Sequence, residues 1–432
     1  MSKSCFVMRM AFRRTFKIFV VAGAACLFAV PAASASSNAD VTRSLKTLRG
    51  SVGAYVYDLD ANRAIAGRNS TKKRIIASNA KLFTGAAALE RFGTGGRFTT
   101  GVWTNGVLGA DGVLLGDLYL RGGGDPYFGT DAFVRKNFGS QATVENLAQA
   151  VENAGVKSVT GRIWGDETVF DSRRGTAKYG YRASGEIGGQ LSGLVFNKGY
   201  NSGKFQSDPP RFAAQKLRVA LRGVGVKVTT RIGVGKTPAD ARQIASVKSL
   251  PMASLVRQMN KPSNNYLAEM LVKSLALPAA AATADGGTVP LGSKAATTRA
   301  GGSFARRHAA GLGSRVALAD GSGLSRSDRA APREVVDILK SLTAEQEYAE
   351  FSASLPVAGI DGTLAKRMRG SAAQRRCRAK TGTLSNVSTL SGYCNTSGGR
   401  KIAFSILQNK VAPYLAKMRE DKIVATIAAL TK

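Results

Sequence analysis

Histidine, cysteine and acidic residues are scarce in this sequence. The 432 residues include one histidine, His308, and four cysteines. The single histidine argues against a multi-histidine metal site, and any Ser-His-Asp triad would have to use it. Asp and Glu number 28 against 62 Lys and Arg, so the formal net charge is +34. Because 44% of the residues are hydrophobic and 21% are charged, as in globular proteins, this charge must lie mainly on the surface, where it attracts polyanions.

A run long enough to span a membrane is also missing. The apolar stretch at residues 18–30 has 13 residues, whereas a spanning helix needs roughly 20. Basic residues at 9, 13, 14 and 17 precede it, and Ala33-Ser34-Ala35 follows it. This order is typical of a secretory signal peptide, so we predict that residues 1–35 are cleaved from an exported protein, with a membrane anchor as the alternative. Cleavage removes five basic and no acidic residues and lowers the net charge from +34 to +29.

The cysteines that remain after cleavage are Cys377 and Cys394. They flank a segment that is typical of two strands joined by a turn at residues 385–386. The register that pairs Leu384 with Val387 also places Cys377 opposite Cys394. Because export permits disulfides, we predict a cross-strand bridge between them. Two free, buried thiols are the alternative, since a bridge between paired strands is geometrically demanding.

Hydrophobic periodicity divides the chain into a discontinuous body and an inserted region. It predicts strands at 51–57, 379–390 and 401–407, and helices at 78–92, 250–259, 264–275 and 411–430. Residues 94–240 are rich in Gly and short alternating runs, with one predicted helix near 212–221, and the Ala-, Gly- and Thr-rich residues 278–302 are predicted to form a loose loop. This order predicts an α/β catalytic domain at 36–95 and 241–432, interrupted by a mainly β domain at 96–240.

The first of three short motifs is Ser78-Asn79-Ala80-Lys81, at the start of a predicted helix. Residues three apart lie on one helix face, so the serine and lysine side chains can meet. A serine hydroxyl becomes a nucleophile when a base removes its proton, and a lysine can be that base when burial or a neighbouring cation lowers its pKa. On its own the motif is far more often a capped helix with a surface lysine.

The second motif is Ser263-Asn264-Asn265. In the functional interpretation, Ser263 relays a proton between the base and the leaving group, and Asn265 holds a substrate amide. In the alternative interpretation the motif only caps the helix that follows, because Ser and Asn are favoured at that position.

The third motif is Lys380-Thr381-Gly382, in a predicted strand. Gly382 has no side chain, so a substrate could lie against the strand edge at this point. An ordinary strand with a basic residue could have the same three-residue sequence. This motif alone therefore does not identify a function.

In this order, the three motifs resemble the signature of penicillin-binding proteins and serine β-lactamases. The flanking sequences narrow the resemblance to the D-Ala-D-Ala carboxypeptidase/endopeptidases of the DacB type, which are class C low-molecular-mass penicillin-binding proteins. The resemblance covers nearly the whole chain after residue 35 and weakens over 278–302. It rests on the residues at 77–82, 96–100, 122–126, 259–263, 267–271, 355–359 and 379–384, and on Asp-Gly-Ser-Gly-Leu-Ser at 320–325.

The resemblance implies a serine β-lactamase/DD-transpeptidase-like catalytic domain, an antiparallel sheet flanked by helices, with 96–240 as the family's inserted domain. It implies a periplasmic serine D,D-peptidase, soluble or peripherally membrane-associated, whose substrates are peptidoglycan stem peptides. D-Ala-D-Ala ends and D-Ala-diaminoacid cross-links both contain the required bond, and the choice between them stays open. β-Lactam antibiotics would acylate the same serine. No metal or organic cofactor is implied, and His308 keeps a structural or surface role.

Residue roles also follow from the resemblance. Ser78 would attack the carbonyl between two D-amino acids and form an acyl-enzyme, with Lys81 as the base, although the choice of lysine stays open. Backbone N–H groups of Ser78 and Thr383 would hold the oxyanion. The residues implied in the reaction are Ser78, Lys81, Ser263, Asn265 and Lys380, and those implied in oxyanion or substrate binding are Ser78, Thr381, Gly382 and Thr383.

Other functions share some of these features. A serine β-lactamase carries the same motifs, but it needs a positioned deacylating water, and the loop that often holds it is not recognisable here. A non-catalytic penicillin-binding or cell-wall-binding protein is opposed by the intact Ser78, Lys81 and Lys380. The positive charge admits an anionic cell wall or membrane surface as a partner, whereas export and the absence of a long Lys/Arg run argue against nucleic acid.

Overall fold

The computed structural model describes residues 35–431, without the side chains of residues 136 and 137. The predicted signal peptide therefore lies outside the described residues, apart from Ala35. Within the described range, no helix is both long and apolar enough to cross a membrane.

The described range contains eleven helices and eighteen strands. The helices are α1 (Asn38–Leu45), α2 (Ala80–Phe92), α3 (Asp131–Phe138), α4 (Val144–Asn153), α5 (Pro209–Gly223), α6 (Met252–Asn260), α7 (Asn265–Ser274), α8 (Thr298–Gly311), α9 (Pro332–Leu342), α10 (Tyr348–Ser354) and α11 (Pro413–Ala428). Short 3-10 turns lie at Ala77–Asn79, Ala177–Tyr179, Asn197–Gly199, Ala279–Ala281 and Gly362–Leu364. The strands are β1 (Ser51–Asp58), β2 (Arg63–Arg68), β3 (Arg74–Ile75), β4 (Thr99–Thr104), β5 (Val107–Leu108), β6 (Val113–Leu115), β7 (Leu118–Arg121), β8 (Ser158–Val159), β9 (Ile163–Asp166), β10 (Tyr200–Asn201), β11 (Lys204–Phe205), β12 (Lys227–Val228), β13 (Ile232–Val234), β14 (Arg242–Lys248), β15 (Arg329–Ala330), β16 (Cys377–Leu384), β17 (Val387–Asn395) and β18 (Lys401–Asn409).

An antiparallel sheet with the order β16-β17-β18-β1-β2 joins the two ends of the described chain. Its side chains alternate between the faces, as strand geometry requires. Ile402, Phe404 and Ile406 pack with α1 and α11, whereas Ala403 and Leu407 belong to the core formed with α9, α2 and α7. Both faces are therefore covered by helices, which is the predicted architecture of the catalytic domain.

The middle region contains a second, mixed sheet with the order β13-β9-β7-β4-β14 and a smaller sheet with the order β12-β8-β6-β5. Helices α4 and α5 pack on the larger sheet and share a core of their own. Helix α4 was not predicted, although Val144, Leu147, Ala148 and Val151 are buried at helical spacing and Thr143 caps the helix. The Gly-rich surroundings masked this signal, and the region holds more helix than its composition indicated. The limits of the inserted domain, 96–240, stay a prediction.

The prediction of a loose loop at 278–302 is wrong for its last residues. Helix α8 begins at Thr298, where the side chain of Thr297 accepts a hydrogen bond from the Ala300 N–H. A Cβ on Gly301 would lie 1.6 Å from the Val272 carbonyl oxygen of α7. The small residues that lowered the helical signal are therefore the ones that let α8 approach α7 closely.

The predicted hairpin register is the one observed, with Leu384 opposite Val387 and Cys377 opposite Cys394. The turn between the two strands places Asn386 in the left-handed region, at φ 59°. The two cysteines are joined in a disulfide and have almost no exposed surface. The bridge thus ties the start of β16 to the end of β17.

We expect replacement of both cysteines by alanine to lower the free energy of unfolding by about 3 kcal/mol, because the bridge closes a short loop in the unfolded chain. The bonded residues are 17 positions apart. Urea unfolding of the oxidised wild type and of the Cys377→Ala/Cys394→Ala variant measures this difference. The reduced wild type, which keeps both cysteines, is the control. Equal stability of the oxidised and reduced proteins would contradict the prediction.

Candidate active site

Ser78 lies in the 3-10 turn that leads into α2, and the turn is tightly enclosed. Ala77 has φ 44°, an unusual conformation for a residue with a side chain. A Cβ on Gly323 would lie 1.8 Å from the Ala77 carbonyl oxygen, and a Cβ on Gly382 would lie 2.9 Å from the Ser78 nitrogen. Two glycines from distant parts of the chain therefore allow other backbone to pack directly against the serine.

Lys81 is fully buried, and its ammonium group has three acceptors. Its Nζ lies 3.0 Å from Ser78 Oγ, 2.8 Å from Asn265 Oδ1 and 2.7 Å from the Ser322 carbonyl oxygen. Burial disfavours the charged form and lowers the Lys81 pKa to about 8, although the nearby Glu269 carboxyl opposes this effect. The lysine is thus positioned against the serine and holds its proton weakly.

The second motif is placed by the start of α7. Asn264 caps this helix, because its side chain accepts a hydrogen bond from the Leu267 N–H. Asn265, the first residue of the helix, accepts from Lys81 and donates through Nδ2 to the Glu186 carbonyl oxygen at 2.8 Å. Ser263 has φ 60° and precedes the helix. The alternative interpretation as a helix cap therefore applies to Asn264, while its two neighbours face other groups of the site.

Lys380 forms a second lysine–serine pair. Its buried Nζ donates to Ser263 Oγ at 2.8 Å and to the Thr381 carbonyl oxygen at 3.0 Å. Burial, and then the nearby positive charge of Lys81, hold the Lys380 pKa well below its ordinary value. The three predicted motifs thus meet as two adjacent pairs, Lys81 with Ser78 and Lys380 with Ser263.

The outer edge of β16 offers backbone groups beside Ser78. The Ala379 N–H donates to the Pro356 carbonyl oxygen, away from β17. Residues separated by an even number of positions point their N–H groups to the same side of a strand. The Thr383 N–H therefore points to the same open edge, next to the place where Gly382 meets the Ser78 backbone.

A side chain at Gly382 would clash within the protein itself, which is a stronger constraint than the predicted room for a substrate. Its Cβ would also lie 2.3 Å from Thr389 Oγ1 of the neighbouring strand. Thr381 Oγ1 donates to Thr363 Oγ1 at 2.8 Å, so Thr363 adds a hydroxyl group near the site that sequence reasoning missed. The third motif therefore contributes a close backbone approach as well as side chains.

The Ser322 carbonyl oxygen is another acceptor that the sequence did not reveal. The turn that carries it is held by Glu269, whose carboxylate accepts from the Ser322 N–H at 2.9 Å and from the Gly321 N–H at 3.3 Å. Glu269 lies four residues after Asn265, on the same face of α7. A charged residue within the apolar pattern of this helix was the available signal.

Glu269, Asp320 and Asp328 form a buried carboxyl cluster near Lys81. Burial, and then the negative charge of Asp320, raise the Glu269 pKa to about 8. The same two causes raise the Asp328 pKa well above its ordinary value. Asp320 accepts from the Gly323 and Ser325 N–H groups, both at 2.7 Å. The cluster therefore fixes the 320–325 turn, and its carboxyl groups raise the Lys81 pKa to the extent that they are ionised.

A cavity of about 960 Å³ opens next to the edge of β16. Its walls include Ala177 and Glu186 of the middle region, and Arg326, Thr383 and Leu384 at or near the edge of β16. The Glu186 carboxylate accepts from the side chains of Lys178 and Tyr179. We refer to this cavity as the cleft, and it is large enough for a peptide segment.

His308 takes no part in this arrangement. It lies on α8, where its Nδ1 is 3.8 Å from Glu90 Oε2. Burial lowers the His308 pKa. The chemistry of the site therefore depends on lysine, serine and amide groups.

Known proteins resemble this chain over most of its length. The family model described as the D-Ala-D-Ala carboxypeptidase 3 (S13) family matches residues 37–183 and 197–430. A D-alanyl-D-alanine carboxypeptidase of Actinomadura sp. is 31% identical over 88% of this chain and 82% of its own length. The carboxypeptidase DacB of Haemophilus influenzae is 23% identical over 87% of this chain and 89% of its own length.

Solved structures share the fold. Penicillin binding protein 4 of Haemophilus influenzae, at 20% identity, superposes with a TM-score of 0.72 over 91% of this chain and 99% of its own. A predatory peptidoglycan endopeptidase of Bdellovibrio bacteriovorus, at 18% identity, gives a TM-score of 0.55 over 88% of this chain and 92% of its own. The predicted fold class and the predicted family resemblance are confirmed. The chain belongs to the D-Ala-D-Ala carboxypeptidase 3 (S13) family.

Proposed function

We propose that this protein hydrolyses D,D-peptide bonds in peptidoglycan stem peptides through an acyl-enzyme on Ser78. The observation that carries the proposal is the buried Lys81 Nζ, 3.0 Å from Ser78 Oγ, in a member of a serine carboxypeptidase family. A buried amine whose pKa is lowered to about 8 can accept the hydroxyl proton near neutral pH.

Acylation would proceed in two steps. Lys81 takes the proton as Ser78 Oγ attacks the carbonyl carbon of the bond between two D-amino acids. The negative oxygen of the tetrahedral intermediate lies between the Ser78 and Thr383 N–H groups at the edge of β16. The C–N bond then breaks and leaves an ester on Ser78.

The second lysine–serine pair serves the leaving group. Ser263 Oγ accepts a hydrogen bond from Lys380, so it can give its own proton to the departing amine and regain one from the lysine. Asn265 and Thr381 orient the peptide along the strand edge. Water then attacks the ester: its hydroxide part joins the acyl group, which leaves as a carboxylic acid, and its proton passes to Ser78 Oγ. The proton that Lys81 took in the first step replaces the one that Lys380 gave up, so both lysines return to their starting state. A β-lactam would follow the same first step.

The protein acts outside the cytoplasm in this proposal. Residues 1–35 have the order of a signal peptide, and the Cys377–Cys394 disulfide is typical of an oxidising compartment such as the periplasm. Its excess of Lys and Arg over Asp and Glu suits an anionic cell wall or membrane surface. Retention by purified sacculi that weakens as salt is added tests this attraction.

We expect the rate of acylation by a fluorescent penicillin to rise with pH through about 8 and then to level off, because the reactive form of Lys81 is the free amine. Lys81→Arg should lower the rate by roughly 10²–10⁴-fold and abolish this pH dependence, since arginine stays protonated. The exposed Lys72→Arg serves as the matched control. A rate that falls as the pH rises through 8 would contradict the role of Lys81.

Replacement of Glu269 by Gln should move the rising limb of the same pH profile to lower pH. The negative charge of Glu269 stabilises protonated Lys81, so the neutral amide leaves the lysine a weaker base. The exposed Glu350→Gln controls for the loss of one charge. If the Glu269→Gln and Glu350→Gln variants keep the wild-type midpoint, Glu269 does not act on the lysine.

Digestion of purified muropeptides distinguishes the candidate reactions. We expect the mature protein to release D-Ala from uncross-linked pentapeptides, to cut cross-linked dimers, or both, and Ser78→Ala to do neither. Mass spectrometry of the products identifies the bond that is cut. Inactivity of the wild type on both substrates would reject the D,D-peptidase proposal and favour a non-catalytic penicillin-binding protein, whereas steady penicillin hydrolysis after the acylation burst would favour a β-lactamase.

A further inference from the structure

A second cavity lies beside the cleft and has no role in the proposed reaction. Its volume is about 350 Å³, and its walls come from the 171–181 segment, the start of α8 and residues 318–319. We call it the arginine pocket, because Arg173, Arg299 and Arg306 all line it. Ala177 lines both this pocket and the cleft. The two cavities are therefore neighbours that share one small wall residue.

The three arginines give the pocket an uncompensated positive charge. Among residues 35–431, none of their guanidinium groups forms a salt bridge. Arg173 stacks over the Tyr181 ring, 4.1 Å from its centroid, which orients the guanidinium without neutralising it. Arg306 donates to the Leu318 carbonyl oxygen at 2.7 Å and to Ser303 Oγ at 2.8 Å. It is therefore also held in place by neutral groups.

The pocket also contains a carboxylate, but that charge is already compensated. Asp171 Oδ1 lies 2.6 Å from the Nζ of Lys273, a lysine with almost no exposed surface. Lys273 offsets the charge of this partly exposed carboxylate. The three arginines therefore leave the lining with an excess of positive charge.

A buried hydroxyl group in the wall of the pocket provides an observation that is independent of the arginines. Thr176 lines the pocket and is 3% exposed, yet its Oγ1 has no hydrogen-bond partner among the described residues. Buried hydroxyls without a partner are rare, because losing water without a replacement costs free energy. Thr298, the first residue of the 14-residue helix α8, lines the same pocket. The positive end of this helix adds to the attraction for an anion.

We propose that the arginine pocket binds a carboxylate of the peptidoglycan strand, outside the D,D dipeptide that is cut in the cleft. The choice of peptidoglycan as the polymer rests on the proposed function, whereas the choice of an anion rests on the residues of the pocket itself. Guanidinium groups match the two oxygens of a carboxylate, and the Thr176 hydroxyl can donate to one of them. The pocket and the cleft share Ala177 as a wall residue, so one stem peptide or its neighbour can extend from one cavity into the other.

The test compares a polymer fragment with a small substrate. We expect Arg299→Gln to lower kcat/KM for a cross-linked muropeptide, relative to a short D-Ala-D-Ala peptide, by about tenfold, the loss expected for one charge-assisted hydrogen bond. The change should lie in KM, because the pocket does not touch the reacting atoms. Arg315→Gln, at an exposed arginine outside the pocket, should leave the ratio of the two substrates unchanged.

A binding measurement separates this proposal from the reaction itself. In the Ser78→Ala protein, calorimetry should show the same muropeptide binding about tenfold more weakly after Arg299→Gln. Thr176→Val should raise the melting temperature and also weaken this binding, because it removes a hydroxyl that only the ligand satisfies. Unchanged binding in both variants would overturn the pocket assignment, even if the wild type cuts muropeptides.

The source of the anion is tested in the same assay. Inorganic phosphate at equal concentration should displace the muropeptide less well than a stem-peptide carboxylate does. Displacement by phosphate alone would assign the pocket to a phosphate polymer and overturn the proposal. Failure of the wild type to react with penicillin or with the small peptide would instead reject the proposed function.

Discussion

The burial of two lysine ammonium groups is the constraint on which the rest of this site depends. An ammonium group taken out of water must find acceptors or lose its proton. Lys81 and Lys380 find theirs on four separate stretches of chain: the turn before α2, the start of α7, the 320–325 turn and β16. The sheet and the helices are arranged so that these stretches converge. The same burial lowers both lysine pKa values.

Close backbone approach makes this convergence sterically feasible. Gly323 and Gly382 admit neighbouring backbone against Ala77 and Ser78, and Ala77 accepts an unfavourable φ to complete the turn. Local strain of this kind persists only where the surrounding structure imposes it. The carboxyl cluster of Glu269, Asp320 and Asp328 also supports this convergence, because it fixes the turn that carries the Ser322 carbonyl oxygen.

Local patterns in the sequence predicted what local geometry determines. Ser78 and Lys81 come together within one helical turn. The pairing of Cys377 with Cys394 follows from the register of a single hairpin. The acceptor on Ser322 depends on a contact with a residue 241 positions away, which no local pattern encodes. Helix α8 was missed at its start for the opposite reason, since its small residues weaken the helical signal while they permit close packing. The resemblance to the family located the 320–325 turn without revealing what its backbone does.

The hydrogen bond from Asn265 Nδ2 to the Glu186 carbonyl oxygen has a wider consequence. One amide side chain touches the lysine with its oxygen and the middle region with its nitrogen. The middle region therefore helps to position one of the three acceptors of Lys81, because the segment around Glu186 anchors this amide.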